Sequence, residues 1–272
     1  MFNKEYIFNQ LKEMGAPQDS VVLVHSSLKA VGEVEGRGEG FLDILIEYFT
    51  KEGGLLCIPT HTWAFAGNDK ISLDLTEPKT CIGKLPDIAA NREGGVRTLH
   101  PTHSMAVFGD KCRVKAFTEG EDEITTPTSK DGCYAKLFKN NGYILLVGVG
   151  HNRNTYLHSV EEILDIPNRI SQDTFRMLIK NKDGSLTLRN NHYHKADFTN
   201  DVSARYPKFE PAFRHFGAIE DGFVGNAKTQ LCSAVGMKRV LETVYKRSGG
   251  IELLMEYTPI PREYYEGELC DE

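Results

Sequence analysis

His158 and Glu161 lie three residues apart in NTYLHSVEEIL, a stretch whose spacing predicts a helix from about Asn154 to Leu164, so both side chains leave one face. An imidazole beside a carboxylate is the unit that general-base chemistry needs. The carboxylate fixes the tautomer and stabilises the imidazolium, while the free ring nitrogen takes a proton from a nucleophile. A surface ion pair is the plainer alternative, since such pairs are common and weak. The place of this pair, straight after the run GYILLVGVG, favours chemistry, because ligands collect where strands end and helices begin.

Other clusters fall at similar positions. His25-Ser26-Ser27-Leu28-Lys29 follows the run VVLV, and its backbone N–H groups, two hydroxyls and one cation could cradle a phosphate or, more plainly, form a serine N-cap. Gly36-Arg37-Gly38-Glu39-Gly40 fits neither phosphate-loop fingerprint and reads as a flexible connector, although Arg37 could reach an anion. His100-Pro101-Thr102-His103-Ser104 packs polar groups into a loop, where structural and functional roles stay equally open. Histidines 25, 61, 100, 103, 151 and 158 near strand ends raise an open zinc site, hence a zinc hydrolase, as a distant alternative. They show no ligand spacing such as H-E-x-x-H, so no metal is expected. Cys57 and Cys133 could serve a covalent route, but neither has an activating neighbour in sequence.

These residues need rigid elements behind them. Val21–His25, Leu55–Ile58 and Gly142–Val149 read as buried strands, and Phe41, Leu42, Leu45, Ile46 and Phe49 mark a helix over Gly40–Thr50. Pro167 closes the helix that carries His158. Strands alternating with helices predict an α/β fold: a central mixed sheet flanked by helices, with ligands at the strand ends. Between Asp173 and Phe198 the pattern turns to an antiparallel hairpin about Lys182-Asp183-Gly184. A single domain over 1–272 with a β-rich excursion at about 170–215 follows, then a helix over Thr229–Tyr245 and an aromatic tail, EYTPIPREYY, along the surface.

The chain has 272 residues, 40% apolar and 26% charged, with no apolar run near the ~20 residues of a membrane span. Its N-terminus is amphipathic without an apolar signal core, so a cytoplasmic protein is expected. A net charge of −6 argues against a nucleic-acid binder and suits a cationic small substrate. The six cysteines show no short pairing and read as reduced thiols.

VVLVHSSLKAVG, LLCIPTHTW, HPTHSMAVFG and YILLVGVGHNRNTYLHSVEE together resemble the aminoglycoside N3-acetyltransferase family over roughly residues 5 to 265. The resemblance implies acetyl-CoA as acyl donor, an α/β fold unlike that of the GNAT acetyltransferases, and direct transfer to the 3-amino group of an aminoglycoside. It puts the catalytic base and its supporting carboxylate on His158 and Glu161, and a hydroxyl for the developing oxyanion on Thr155. CoA contacts fall on His25, Ser26, Ser27, Leu28 and Lys29, and on Ser104, Met105, Ala106 and Val107. Asn152 stands where resistance enzymes often have Asp, and Asn152 and Glu162 are the expected acceptor contacts. The missing charge points to selective use of aminoglycosides, and a CoA-dependent acyltransferase for another amine or amino-sugar metabolite is the alternative. A cationic amine and CoA are thus the expected partners, with a homodimer compatible and no membrane or nucleic acid.

Overall fold

Burial on both faces explains why the strands nearest the candidate site read as unbroken apolar runs rather than alternating ones. The computed structural model describes residues 1–195, 202–250 and 259–270. Its elements are α1 (Lys4–Glu13), β1 (Val21–Ser26), α2 (Leu28–Val31), α3 (Arg37–Thr50), β2 (Leu55–Pro59), β3 (Lys70–Asp74), α4 (Lys84–Asn91), β4 (Val96–Arg97), β5 (Met105–Phe108), α5 (Lys111–Thr118), α6 (Cys133–Lys139), β6 (Tyr143–Val147), α7 (Tyr156–Ile163), β7 (Phe175–Lys180), β8 (Leu186–Asn191), α8 (Glu210–His215), β9 (Ile219–Val224), β10 (Ala227–Ser233) and α9 (Ala234–Ser248).

The main sheet has seven strands in the order β4-β5-β2-β1-β6-β10-β9. Its centre is parallel: β1 pairs with β2 from Val21↔Leu55 and with β6 from Val22↔Tyr143. Alternate side chains divide the core. Leu23, Cys57, Ile144 and Leu146 join α6, α7 and α9 on one face, whereas Val22, Leu56, Leu145 and Val147 join α1 and α3 on the other. With α3 on one side of β1 and α6 on the other, the carboxyl ends of β1, β2 and β6 open a crevice at the switch point. Because these side chains are wholly enclosed, Leu23→Ala would cost ~2–5 kcal/mol through lost transfer energy and a cavity.

A second sheet, β3-β7-β8, stands beside the crevice; β7 and β8 form the hairpin, while β3 adds in parallel from far upstream. The parts of the expected hairpin and tail at 196–198 and 256–258 lie outside the described residues.

Three expectations change. Thr229–Ser233 is strand, not helix: it ends β10, where alternate residues face the core, and Ser233 then caps α9 by accepting from the Gly236 N–H. The glycines at 36–40 are not a loose connector but the start of α3. A Cβ on Gly40 would come 2.0 Å from the Glu35 carbonyl oxygen, so close packing demands glycine there. The His158 helix starts at Tyr156, after a 3-10 turn over His151–Arg153.

Candidate active site

A cavity of about 800 Å³ opens where β1, β2 and β6 end, bounded by His25, Ser26, Pro59, Val149 and Thr155 below and by Phe175, Met177, Tyr193 and His194 from the small sheet's side. His158 lines it from the first turns of α7, and its ring packs edge-on to Tyr206, 5.0 Å between centroids.

Behind His158 lies a buried relay. Tyr206 Oη donates to Glu161 Oε2 at 2.7 Å and sits 2.7 Å from His158 Nδ1; the direct His158 Nδ1 to Glu161 Oε2 separation is 3.5 Å. Tyr206 has one hydroxyl proton, and the carboxylate takes it. His158 must therefore carry its own proton on Nδ1, which leaves the Nε2 lone pair for chemistry. Arg169 Nε donates to the second oxygen, Glu161 Oε1, at 2.7 Å. Burial raises the Glu161 carboxyl, but the contacts with His158 and Arg169 outweigh it and hold the group ionised, below the ordinary carboxylate range. Tyr206 and Arg169 lie 45 and 8 residues from Glu161 in sequence, outside any spacing pattern.

A row of imidazoles continues the wall. His194 stacks on His158 with 4.2 Å between centroids, His103 lies 5.0 Å from His194, and His61 lies 4.5 Å from His103. Each is tethered through one ring nitrogen by a hydroxyl: Thr128 at 3.2 Å, Thr102 at 2.9 Å and Tyr134 at 2.6 Å, respectively. Burial, reinforced by the neighbouring rings, pushes all three well below the ordinary histidine value, so they are neutral at pH 7. His100 takes no part in the cavity wall. Its Nδ1 accepts the backbone N–H groups of Thr102 at 3.2 Å and His103 at 2.9 Å, which shapes the loop. His151 is likewise enclosed, against Phe213. Among the described residues no group of three His, Cys, Asp or Glu side chains is arranged to hold a metal ion.

The residues singled out in the sequence separate into two sets. His25, Ser26, Asn152, Thr155 and His158 reach the cavity. Ser27 instead caps α2, accepting from the Ala30 N–H, Leu28 packs into the core around α3, and Lys29 is exposed. Ser104 is enclosed and donates to the Thr60 carbonyl at 2.9 Å. Met105, Ala106 and Val107 lie in β5, fully buried in the sheet and away from the cavity, so these apolar side chains have no free face for a ligand. Glu162 also turns inward: Oε1 accepts from the Thr128 N–H and hydroxyl at 2.9 and 2.6 Å, and Oε2 from the Thr126 hydroxyl at 2.6 Å. Engaged on both oxygens, it is not placed to hold an acceptor. Cys57 and Cys133 are buried with their thiols pushed upward, by burial for both and by Glu121 for Cys133, which keeps them un-ionised.

His25 Nε2 and Ser26 Oγ are buried at the cavity floor with no hydrogen-bond partner among the described residues. Orphaned polar groups of this kind are satisfied by water or by a polar ligand. The adjoining wall of Ile58, Leu85 and Pro86 is apolar.

A profile of the aminoglycoside 3-N-acetyltransferase family matches residues 23–246. Aminoglycoside N(3)-acetyltransferase VII of Streptomyces paromomycinus is 27% identical over 254 residues, 82% of this chain and 84% of its own. Aminoglycoside N(3)-acetyltransferase III of Acinetobacter baumannii is 23% identical over 262 residues, covering 86% and 88%. Among solved structures, aminoglycoside acetyltransferase AAC(3)-IVa in complex with a gentamicin superposes with a TM-score of 0.75 at 22% identity, over 95% of this chain and 92% of that one. The binary complex of AAC-IIIb with CoASH gives 0.76 at 18% identity, over 90% and 97%. At these identities the structural likeness speaks for the fold.

Proposed function

This chain belongs to the aminoglycoside 3-N-acetyltransferase family of acyltransferases, and from that premise we propose that it moves an acetyl group from acetyl-CoA directly to an amine, with His158 as general base. The 3-amino group of an aminoglycoside is the acceptor its relatives' names suggest. The observation that carries the reading is the buried Glu161–Tyr206–His158 relay ending on a cavity of about 800 Å³ at the strand ends.

In this mechanism the amine nitrogen bonds to the thioester carbon while His158 Nε2 takes one of its protons. The imidazolium is stabilised through Nδ1–H by the Tyr206 oxygen and the Glu161 charge behind it. Thr155, three residues ahead of His158 and facing the cavity, donates its hydroxyl to the developing oxyanion. As the carbon–sulfur bond breaks, His158 returns the proton to the sulfur, so the products are an amide and a thiol and the enzyme is unchanged. His25 and Ser26 hold the donor's arm. No acyl-enzyme is needed.

A second reading, transfer to another amine or amino-sugar metabolite, is favoured by the acceptor side. Asn152 is neutral and Glu162 is engaged inward, so neither supplies a charge for an ammonium group. Purified protein with acetyl-CoA should release free thiol in the presence of an acceptor from a panel of aminoglycosides, amino sugars and simple primary alkylamines. Thiol release that no panel member stimulates, or that a strong chelator abolishes and zinc restores, would overturn the proposal.

A further inference from the structure

The consecutive carboxylates of α7 head two relays of the same kind. Glu161 reaches His158 through the hydroxyl of Tyr206; Glu162 reaches His194 through the hydroxyl of Thr128, which lies 2.6 Å from Glu162 Oε1 and 3.2 Å from His194 Nε2. The direct Glu162 to His194 separation is 4.0 Å, so the threonine makes the link. The proton accounting is also the same. Thr128 gives its one hydroxyl proton to the carboxylate and can only accept from His194, which fixes the histidine proton on Nε2 and leaves Nδ1 with a lone pair. His194 Nδ1 and His158 Nε2 have no hydrogen-bond partner among the described residues, and both rings, stacked 4.2 Å apart, line the cavity.

Two unprotonated nitrogens on stacked rings suit one kind of nucleophile. A primary amine has two N–H bonds and one lone pair; with each hydrogen held by an imidazole, the lone pair is left to point at the thioester carbon. A hydroxyl or a secondary amine has one hydrogen and would leave one buried acceptor unpaired, which a polar site penalises. We propose that His194 is an acceptor-binding residue that, together with His158, holds both hydrogens of the attacking nitrogen and thereby selects primary amines. The proposal rests on the acyl-transfer reading above. It explains why Glu162 turns inward: its task is to orient His194 rather than to meet the acceptor.

The test compares the best primary amine of the panel with the same compound mono-N-methylated at the acetylated nitrogen. Wild-type kcat/KM should favour the primary amine at least tenfold. His194→Phe keeps a ring over His158 but removes the nitrogen; it should lose tenfold or more on the primary amine, bring the ratio near one, and leave the acetyl-CoA KM within twofold. His194→Asn, which restores an acceptor, should recover part of the ratio. Should His194→Phe fold poorly by circular dichroism, Thr128→Val provides the same comparison, because it frees the His194 proton without touching the ring. A His194→Phe or Thr128→Val enzyme within twofold of wild type on both amines, or a wild type that accepts both equally, would overturn the assignment. If the wild type acetylates no panel member, the acyl-transfer reading itself fails; loss of activity in His158→Ala with the ratio unmoved in His194→Phe sinks this inference alone.

Discussion

Lowering the pH from 7.5 to 5.5 should destabilise the folded chain steeply, because so many imidazoles are held neutral inside it. Burial lowers His25 to about 3, His100 to about 4 and His151 to about 4, and it pushes His61, His103 and His194 the same way. For a histidine depressed in the folded state, the unfolded chain binds more protons below its ordinary value of ~6.5, so stability is intact above that pH and falls as the pH drops toward the folded value. At pH 5.5 each such group costs ~1.3 kcal/mol relative to neutrality, so His25, His100 and His151 together cost roughly 4 kcal/mol, a large share of the ~5–15 kcal/mol of a typical domain. The three coupled rings add to this. Glu121 and Glu162, whose carboxyls burial raises, oppose the loss in part because the folded chain takes up their protons first. The thermal midpoint should fall by about 8–16 °C between the two pH values at constant ionic strength, at ~2–4 °C per kcal/mol. His151→Asn should flatten the slope by one group's share. Equal midpoints at pH 7.5 and 5.5 would refute the claim that these rings are buried and neutral.

Three other outcomes follow from single contacts. Tyr206→Phe should lower kcat about ten- to a hundredfold with an unchanged acetyl-CoA KM, as loss of a hydrogen bond to a charged group implies; steady-state kinetics would expose an effect confined to KM. Arg169→Met strips the buried partner of Glu161 and should cost ~3–5 kcal/mol in urea unfolding, so a midpoint within error of wild type would count against the pair. Asn152 is exposed at the cavity mouth, so Asn152→Asp should add at most about 1 kcal/mol, roughly fivefold in the KM of a polycationic acceptor; no change in that KM would show that other groups hold the acceptor.

The three central strands were legible because they are buried on both faces and read as plain apolar runs, and the His158–Glu161 pair because helical spacing is local. What the sequence hid is non-local. Tyr206 and Arg169 meet Glu161 only after α7, the 3-10 segment over Val202–Phe209 and the loop before β7 pack together, and no periodicity connects them. His194 likewise reaches His158 from 36 positions away in number through ring stacking alone. Glu162 reads as an acceptor contact because its charge suits a cationic amine; the hydroxyls that engage it, on Thr126 and Thr128, arrive from a loop with no regular pattern. Thr229–Ser233, the end of β10, reads as helix because it is short and runs straight into α9, where a local reading sees one continuous segment.

The central claim is that His158 takes the proton of an attacking amine, and the rate of thiol release from acetyl-CoA at saturating acceptor, compared between wild type and His158→Ala, tests it most directly. A base acts in the transition state, so turnover should drop by about 10² or more while acetyl-CoA affinity stays within twofold. Near wild-type turnover in His158→Ala would contradict the account.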